Sequence, residues 1–171
     1  MVVIHRDRIM KDILIIDIEA SGLYSDSYPT EIAYGDPFSR NIESYLIQPT
    51  LLWQSLYWDP EAEKITGITK EKIANAAPAH YIAQLIAPIL NKADIVLSDA
   101  PEWDQRWLNM LFESGGVHIT PQIESFHRFV KQINPSAEYR LLDNNLPVHR
   151  AGADVQILME CLIEEAWTLF G

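Results

Sequence analysis

The sequence predicts an α/β fold: a mixed sheet, with an antiparallel three-strand meander plus parallel strands, and helices packed on it. Three observations lead there. The unbroken aliphatic run Ile13-Leu14-Ile15-Ile16 reads as a strand buried on both faces in the middle of a sheet. Two segments of strand character follow it across turn-forming residues, as the partners in a meander do. The second half of the chain then alternates helical periodicity with short aliphatic runs, the pattern of helical crossovers between parallel strands.

In chain order, the first strand runs into Asp17-Ile18-Glu19-Ala20-Ser21-Gly22, and residues 22–29 are a turn-rich loop. Residues 31–35 and 43–47 read as the second and third strands, joined around Asp36-Pro37. Residues 51–69 read as an irregular connection holding Trp53, Tyr57 and Trp58. Its length suggests a lid or the edge of a substrate site, although aromatics that merely pin the loop to the sheet are the plainer expectation. Thr69 is placed to cap a short helix through Ile73. Pro78 stands near the start of the next helix, whose apolar positions Ile82, Leu85, Ile86, Ile89 and Leu90 recur at three and four. Residues 93–97 form a fourth strand, parallel to the first if that helix is a crossover. A helix over 103–112 ends at Gly115-Gly116, and the apolar stretch 117–119 supplies a fifth strand before a helix over 125–133. The last helix covers 151–169 and buries Val155, Leu158, Met159, Leu162 and Ala166.

No repeat, low-complexity segment or linker divides the 171 residues, so one domain spanning 1–171 is expected, long enough to bury a substantial core. The single cysteine, Cys161, excludes an intramolecular disulfide and a Cys-built metal site; on an apolar helix it reads as a small core residue. No run approaches a membrane span and residues 1–8 lack the apolar centre of a signal peptide, so a cytoplasmic protein with no membrane partner is expected. A net charge of −11 argues against a long electrostatic footprint on duplex DNA. It leaves room for an enzyme that grips a chain end, because carboxylates gathered round cations carry charge that bound ions offset. The stretch 115–150 is close to neutral and holds Arg128, Lys131, Arg140 and Arg150, where a phosphate chain would dock.

Asp17 and Glu19 are two residues apart on a strand and therefore share a face. Like charges side by side at the end of a core strand are costly unless a cation sits between them. Alone, the pair is explained equally well by a strand running out into a solvated loop. Asp104 falls on the helical face of Leu108 and Leu111, and Asp154 precedes Leu158 by one turn beside Val155. Each lies in a first turn, where the helix dipole favours an anion, so an ordinary helix-start acid explains each one singly. Three such accidents together are harder to accept. Four converging carboxylates are what hard divalent cations require, and they suit two-metal phosphodiester cleavage. His149, five residues before Asp154, is positioned to take a proton there.

Asp17-x-Glu19 after an aliphatic strand, Asp104 on a helix, and His149-x-x-x-x-Asp154 together resemble the DEDDh 3′→5′ exonucleases, the DnaQ-like branch of the ribonuclease H-like superfamily. Asp-Ile-Glu-Ala-Ser-Gly is similar to the family's first motif and His-Arg-Ala-Gly-Ala-Asp to its third; Ile65-Thr66-Gly67-Ile68-Thr69 is similar to a segment that usually reads Ile-His-Gly-Ile-Thr. The resemblance implies a ribonuclease H-like fold and two divalent cations, Mg²⁺ or Mn²⁺. It implies that Asp17, Glu19, Asp104 and Asp154 hold the metals, Asp17 bridging them, and that His149 is the general base. It places Ser21, Leu23 and Trp103 against the terminal nucleotide, Leu23 as an apolar wedge. It also implies a homodimer, for which the sequence offers no clear exposed apolar helix of its own.

The second motif departs from the pattern. Asp99 and Ala100 stand where the family commonly has His-Asn, and Thr66 replaces a common His. Asp99 and Glu102 add negative charge beside an anionic substrate, which points to short or weakly held substrates. The expected activity is release of 5′-mononucleotides from single-stranded 3′ ends of DNA or RNA. An aspartyl phosphatase is the rival enzyme, disfavoured by Glu19 and by the His149–Asp154 pair, which that chemistry does not need. A degenerate exonuclease domain that binds nucleic acid or a partner without cutting is the rival of another class, kept open by the altered second motif.

Overall fold

The computed structural model describes residues 12–135 and 149–170, the last four as backbone only. The expectations placed on residues 1–8 and on Arg140 lie outside the described residues. A six-stranded mixed sheet is built from β1 (Ile13–Ala20), β2 (Pro29–Asp36), β3 (Asn41–Gln48), β4 (Ala77–Pro78), β5 (Ile95–Ser98) and β6 (Ile123–Ser125), in the order β4-β3-β2-β1-β5-β6. β1, β2 and β3 form the antiparallel meander, while β5 runs parallel to β1 and β6 parallel to β5. This is the ribonuclease H-like mixed sheet the sequence predicts.

Helices cover both faces. Ile16, Ile18, Ile32 and Val96 face α3 (Ala79–Lys92) and α4 (Pro101–Ser114) through Ile82, Ile86, Leu108 and Leu111. Ile13, Ile15, Ala33 and Leu97 face α5 (Phe126–Ile133) and α6 (Ala151–Phe170) through Phe126, Phe129, Val155 and Leu158. Strand alternation therefore continues the Ile13–Ile15 row into Asp17 and Glu19. Among the described residues no helix is long and apolar enough to cross a membrane.

Several boundaries differ from the sequence-based reading, each for a local reason. Residues 51–69 are not irregular: a 3-10 turn (Trp53–Ser55) and a helix, α1 (Pro60–Thr66), occupy them. Asp59 caps α1 by accepting from Glu61 N at 3.0 Å, and Gly67 closes it at φ 66°. The helix escapes a periodicity search because its one large apolar residue, Ile65, is half exposed. Thr69 does cap α2 (Lys70–Ala74). Trp53 is buried and stacks on Tyr28, whose ring also meets Trp58, so these two aromatics pin the segment as the plainer expectation held; Tyr57 is exposed. Leu85 and Ile89 lie at the rim of α3, and small residues (Ala79, Ala83, Ala87) fill the buried stripe instead. Residues 117–119 are not a strand. Val117 N donates to Phe112 O at 2.9 Å across Gly116 at φ 68°, so this apolar residue closes α4, and Ile119 is exposed. The parallel strand is β6, whose single buried aliphatic, Ile123, sits between polar neighbours. Cys161 is half-buried at the edge of the core rather than within it.

Candidate active site

The site is assembled where β1 and β5 run out. Asp17 pairs across the meander with Ala33, and Glu19 with Glu31. The cross-strand Glu19–Glu31 pair is a like-charge juxtaposition that needs compensation. Arg150 supplies it: Nε and Nη2 donate to Glu31 at 2.9 and 2.6 Å. Ala151 N, an otherwise orphaned donor at the start of α6, gives Glu31 a third bond at 3.1 Å, and Ser44 Oγ a fourth at 3.1 Å. Burial pushes the Glu31 carboxyl up, but the bonds from Arg150, Ala151 and Ser44 outweigh it and hold the group below the usual range. Glu31 thus stays charged and seats the first turn of α6, with His149 just before it and Asp154 within it.

Asp104 is 1% exposed. Its Oδ2 accepts from Ser98 Oγ, which in turn accepts from Ala100 N at 2.9 Å, so the end of β5 and the first turn of α4 are tied to one carboxylate. The inward face deduced from Leu108 and Leu111 is the one Asp104 takes. The Nδ1 of His149 lies 4.0 Å from Asp154 Oδ2, with the imidazole more than half exposed.

These side chains form two groups. Glu19, His149 and Asp154 offer ligand atoms that all lie within 4.8 Å of one another, as do Asp17, Asp99 and Asp104. Burial raises the carboxyl pKa values of Asp17, Glu19, Asp104 and Asp154. Asp17 is pushed well above the usual range by burial and by Asp104, Glu19, Asp99 and Asp154. Glu19 rises to about 8 through burial, Asp154 and Glu31, against a lowering by Arg150. Asp104 rises to about 7 through burial and Asp99, against the bonds from Ser98 and the Ile18 backbone. Asp154 rises to about 6 through burial, Asp99 and Glu31, against a lowering by His149. Asp17 Oδ2 and Asp154 Oδ1 are buried without any hydrogen-bond partner among the described residues. Buried carboxylate oxygens left unpaired are costly, and a divalent cation bound at each would remove the cost. The carboxylate oxygen donors fit Mg²⁺ or Mn²⁺ chemistry.

The remaining expected residues are placed less uniformly. Leu23 is 66% exposed, and Trp103, at the surface of the first turn of α4, stacks on Trp107 at 5.4 Å. Ser21 is buried: its hydroxyl donates to Tyr57 O at 2.7 Å and accepts from Tyr28 N at 3.1 Å, so it ties the loop together instead of facing solvent. Thr66 is likewise turned inward, donating to Ala62 O at 2.9 Å. Arg150 is engaged with Glu31, which removes it from the expected phosphate-facing set; Arg128 lines a groove with Gln105, Gln122 and Ser125 beside β6. Glu31 is the residue of the candidate site that sequence reasoning missed. Its only signal was an acid inside a strand of otherwise buried residues.

No protein-family model and no curated protein sequence matches the chain. Solved structures do. E. coli exonuclease I in its zinc-bound complex with single-stranded DNA aligns with a TM-score of 0.64 at 15% identity, over 94% of this chain and 41% of that one. Exonuclease X in complex with 5′-overhanging duplex DNA gives 0.58 at 20% identity, over 93% of each chain. The nuclease domain of 3′hExo, a DEDDh family member, bound to rAMP, gives 0.64 at 12% identity, over 95% of this chain and 94% of that one. The chain spans about two-fifths of the exonuclease I length. The fold is that of the DEDDh-type exonucleases.

Proposed function

We propose that this protein is a divalent-metal-dependent 3′→5′ exonuclease. It hydrolyses the terminal phosphodiester of single-stranded DNA or RNA, short strands foremost, and releases 5′-mononucleotides. The observation that carries this reading is the convergence of Asp17, Glu19, Asp104, Asp154 and His149 at one end of β1, with two buried carboxylate oxygens unpartnered. The exonuclease fold of the structural neighbours supports it.

Asp17, Glu19, Asp104 and Asp154 would hold two cations, Mg²⁺ or Mn²⁺. When bound, such ions would neutralise the phosphodiester and its departing 3′ oxygen and acidify the attacking water. His149 takes the proton of that water as its oxygen attacks phosphorus and the bond to the 3′ oxygen breaks. Its exposed position before α6 gives the proton a path to solvent. Leu23 and Trp103 offer apolar surface to the terminal base and sugar. The 171 residues are further read as one nuclease domain, acting in the cytoplasm and pairing as a homodimer.

The test uses single strands of DNA and RNA labelled at the 3′ or the 5′ end, incubated with wild type and Asp17→Ala in Mg²⁺ or Mn²⁺. Mononucleotide release from the 3′ end by wild type alone is expected. No release, with Asp17→Ala indistinguishable, overturns the proposal. Oligonucleotide binding without turnover in either metal would instead favour a non-cutting domain, the reading to which Asp99 and Ala100 lend weight.

A further inference from the structure

Asp99 belongs to none of the roles above. It follows β5 directly, in the turn into α4, and its side chain is exposed. Even so, one of its carboxylate oxygens lies within 4.8 Å of oxygens from both Asp17 and Asp104. Among the described residues Asp99 has no hydrogen bond or ion pair, and Arg150 is engaged with Glu31. Among the described residues, three carboxylates thus meet with no basic side chain bound to any of them. A second observation is independent of that clustering. Asp17 Oδ2 is inaccessible to solvent and accepts nothing, although β1 fixes it in place at the centre of the sheet.

We propose that Asp99 is an additional cation ligand, completing with Asp17 and Asp104 an all-carboxylate position for one hard divalent ion. The inference rests on the nuclease reading for the roles of Asp17 and Asp104 and extends it to a residue that departs from the resembled pattern. Its consequence is an asymmetry between the two ion positions. The Asp17–Asp99–Asp104 position has three anionic oxygen donors, whereas Glu19 and Asp154 bring two carboxylates to the other. Ligand charge count sets the affinity of oxygen sites, so the first position fills before nucleic acid arrives.

Mn²⁺ titration of the full chain without nucleic acid, followed by electron paramagnetic resonance and calorimetry, tests this with wild type, Asp99→Asn and Asp17→Ala. Wild type is expected to show a tight and a weak Mn²⁺ site. Asp99→Asn, exposed and isosteric, should weaken the tight site on the order of tenfold or more and spare the weak one. Metal-free Asp99→Asn should melt no lower than wild type, since it loses only repulsion, and should gain less from added Mn²⁺. A titration of Asp99→Asn that matches wild type in number and affinity of sites overturns the proposal, as does an equal Mn²⁺-induced rise in melting temperature. The two readings fail separately. Asp99-dependent Mn²⁺ binding without mononucleotide release would sink the nuclease reading alone, and release with an unchanged Asp99→Asn titration would sink the Asp99 assignment alone.

Discussion

Arg150 grips Glu31 through two nitrogens, at 2.9 and 2.6 Å, across 119 residues of sequence. The pair joins the strand beside Glu19 to the helix start that carries His149 and Asp154. A carboxylate that is 3% exposed, left without its guanidinium, retains a charge it can neither solvate nor pair. Arg150→Ala should therefore cost about 2–3 kcal/mol, below the loss for a fully buried pair because Arg150 is over a third exposed. Urea denaturation of wild type and variant reads that difference directly. Arg150→Lys should recover only part of it, since one ammonium cannot reproduce the two-pronged contact. Equal stability of all three proteins would show that the pair does not anchor α6.

The acidic cluster predicts an unusual pH response of the metal-free protein. Glu19, Asp104 and Asp154 have native pKa values raised to about 8, 7 and 6. A raised carboxyl binds more protons in the native than in the unfolded state across the interval between its two pKa values. Stability must then fall as pH rises through that interval, here from roughly 4 to 8. Glu31 is shifted the opposite way, so its contribution is lost only as pH drops below the ordinary carboxylate range. In EDTA the melting temperature should decline from pH 5 to pH 8, and Mg²⁺ or Mn²⁺ should restore it most at pH 8. A flat profile in EDTA, or an equal metal effect at both pH values, would show that the cluster is not under electrostatic strain.

Gly35 sets how closely α6 can approach β2. A Cβ there would overlap Met159 Sδ and come within 2.7 Å of Val155 Cγ1. Gly35→Ala should destabilise by about 1–3 kcal/mol through overpacking. It should also lower activity, because α6 carries Asp154. Met159→Ala opens space at the same spot, so the double variant should be more stable than the sum of the two single losses. Strict additivity in thermal or urea unfolding would locate the strain elsewhere.

Much of the site was legible because strand and helix periods fix directions. Asp17 and Glu19 share a face by alternation, and the spacing from Asp104 to Leu108 and Leu111 turns that carboxylate inward. What was illegible depends on contacts remote in sequence. Nothing near Glu31 indicates Arg150, and nothing near Ser21 indicates that its hydroxyl meets the Tyr57 carbonyl. β6 is hidden for another reason: three residues with one buried aliphatic carry too little pattern, while Val117 to Ile119 carries more but serves to close a helix. Length and apolar content identify a candidate strand; pairing decides it.

His149 is the residue whose role the geometry leaves most sharply testable. It stands one residue before Arg150, so the Glu31 anchor fixes its backbone while its imidazole stays more than half exposed. A residue that only coordinates metal needs to be held rigidly, whereas a general base must also exchange its proton with solvent. The 4.0 Å gap to Asp154 is longer than a hydrogen bond, which leaves the ring free to turn toward a water. His149→Ala should thus lower turnover roughly 10²–10⁴-fold, the usual contribution of a positioned base. Both Mn²⁺ affinities should stay within about twofold of wild type, since the carboxylates supply the charge that binds the ion. Parallel loss of turnover and of one Mn²⁺ site would instead make His149 a ligand of the Glu19–Asp154 position. Unchanged turnover would remove it from the chemistry altogether.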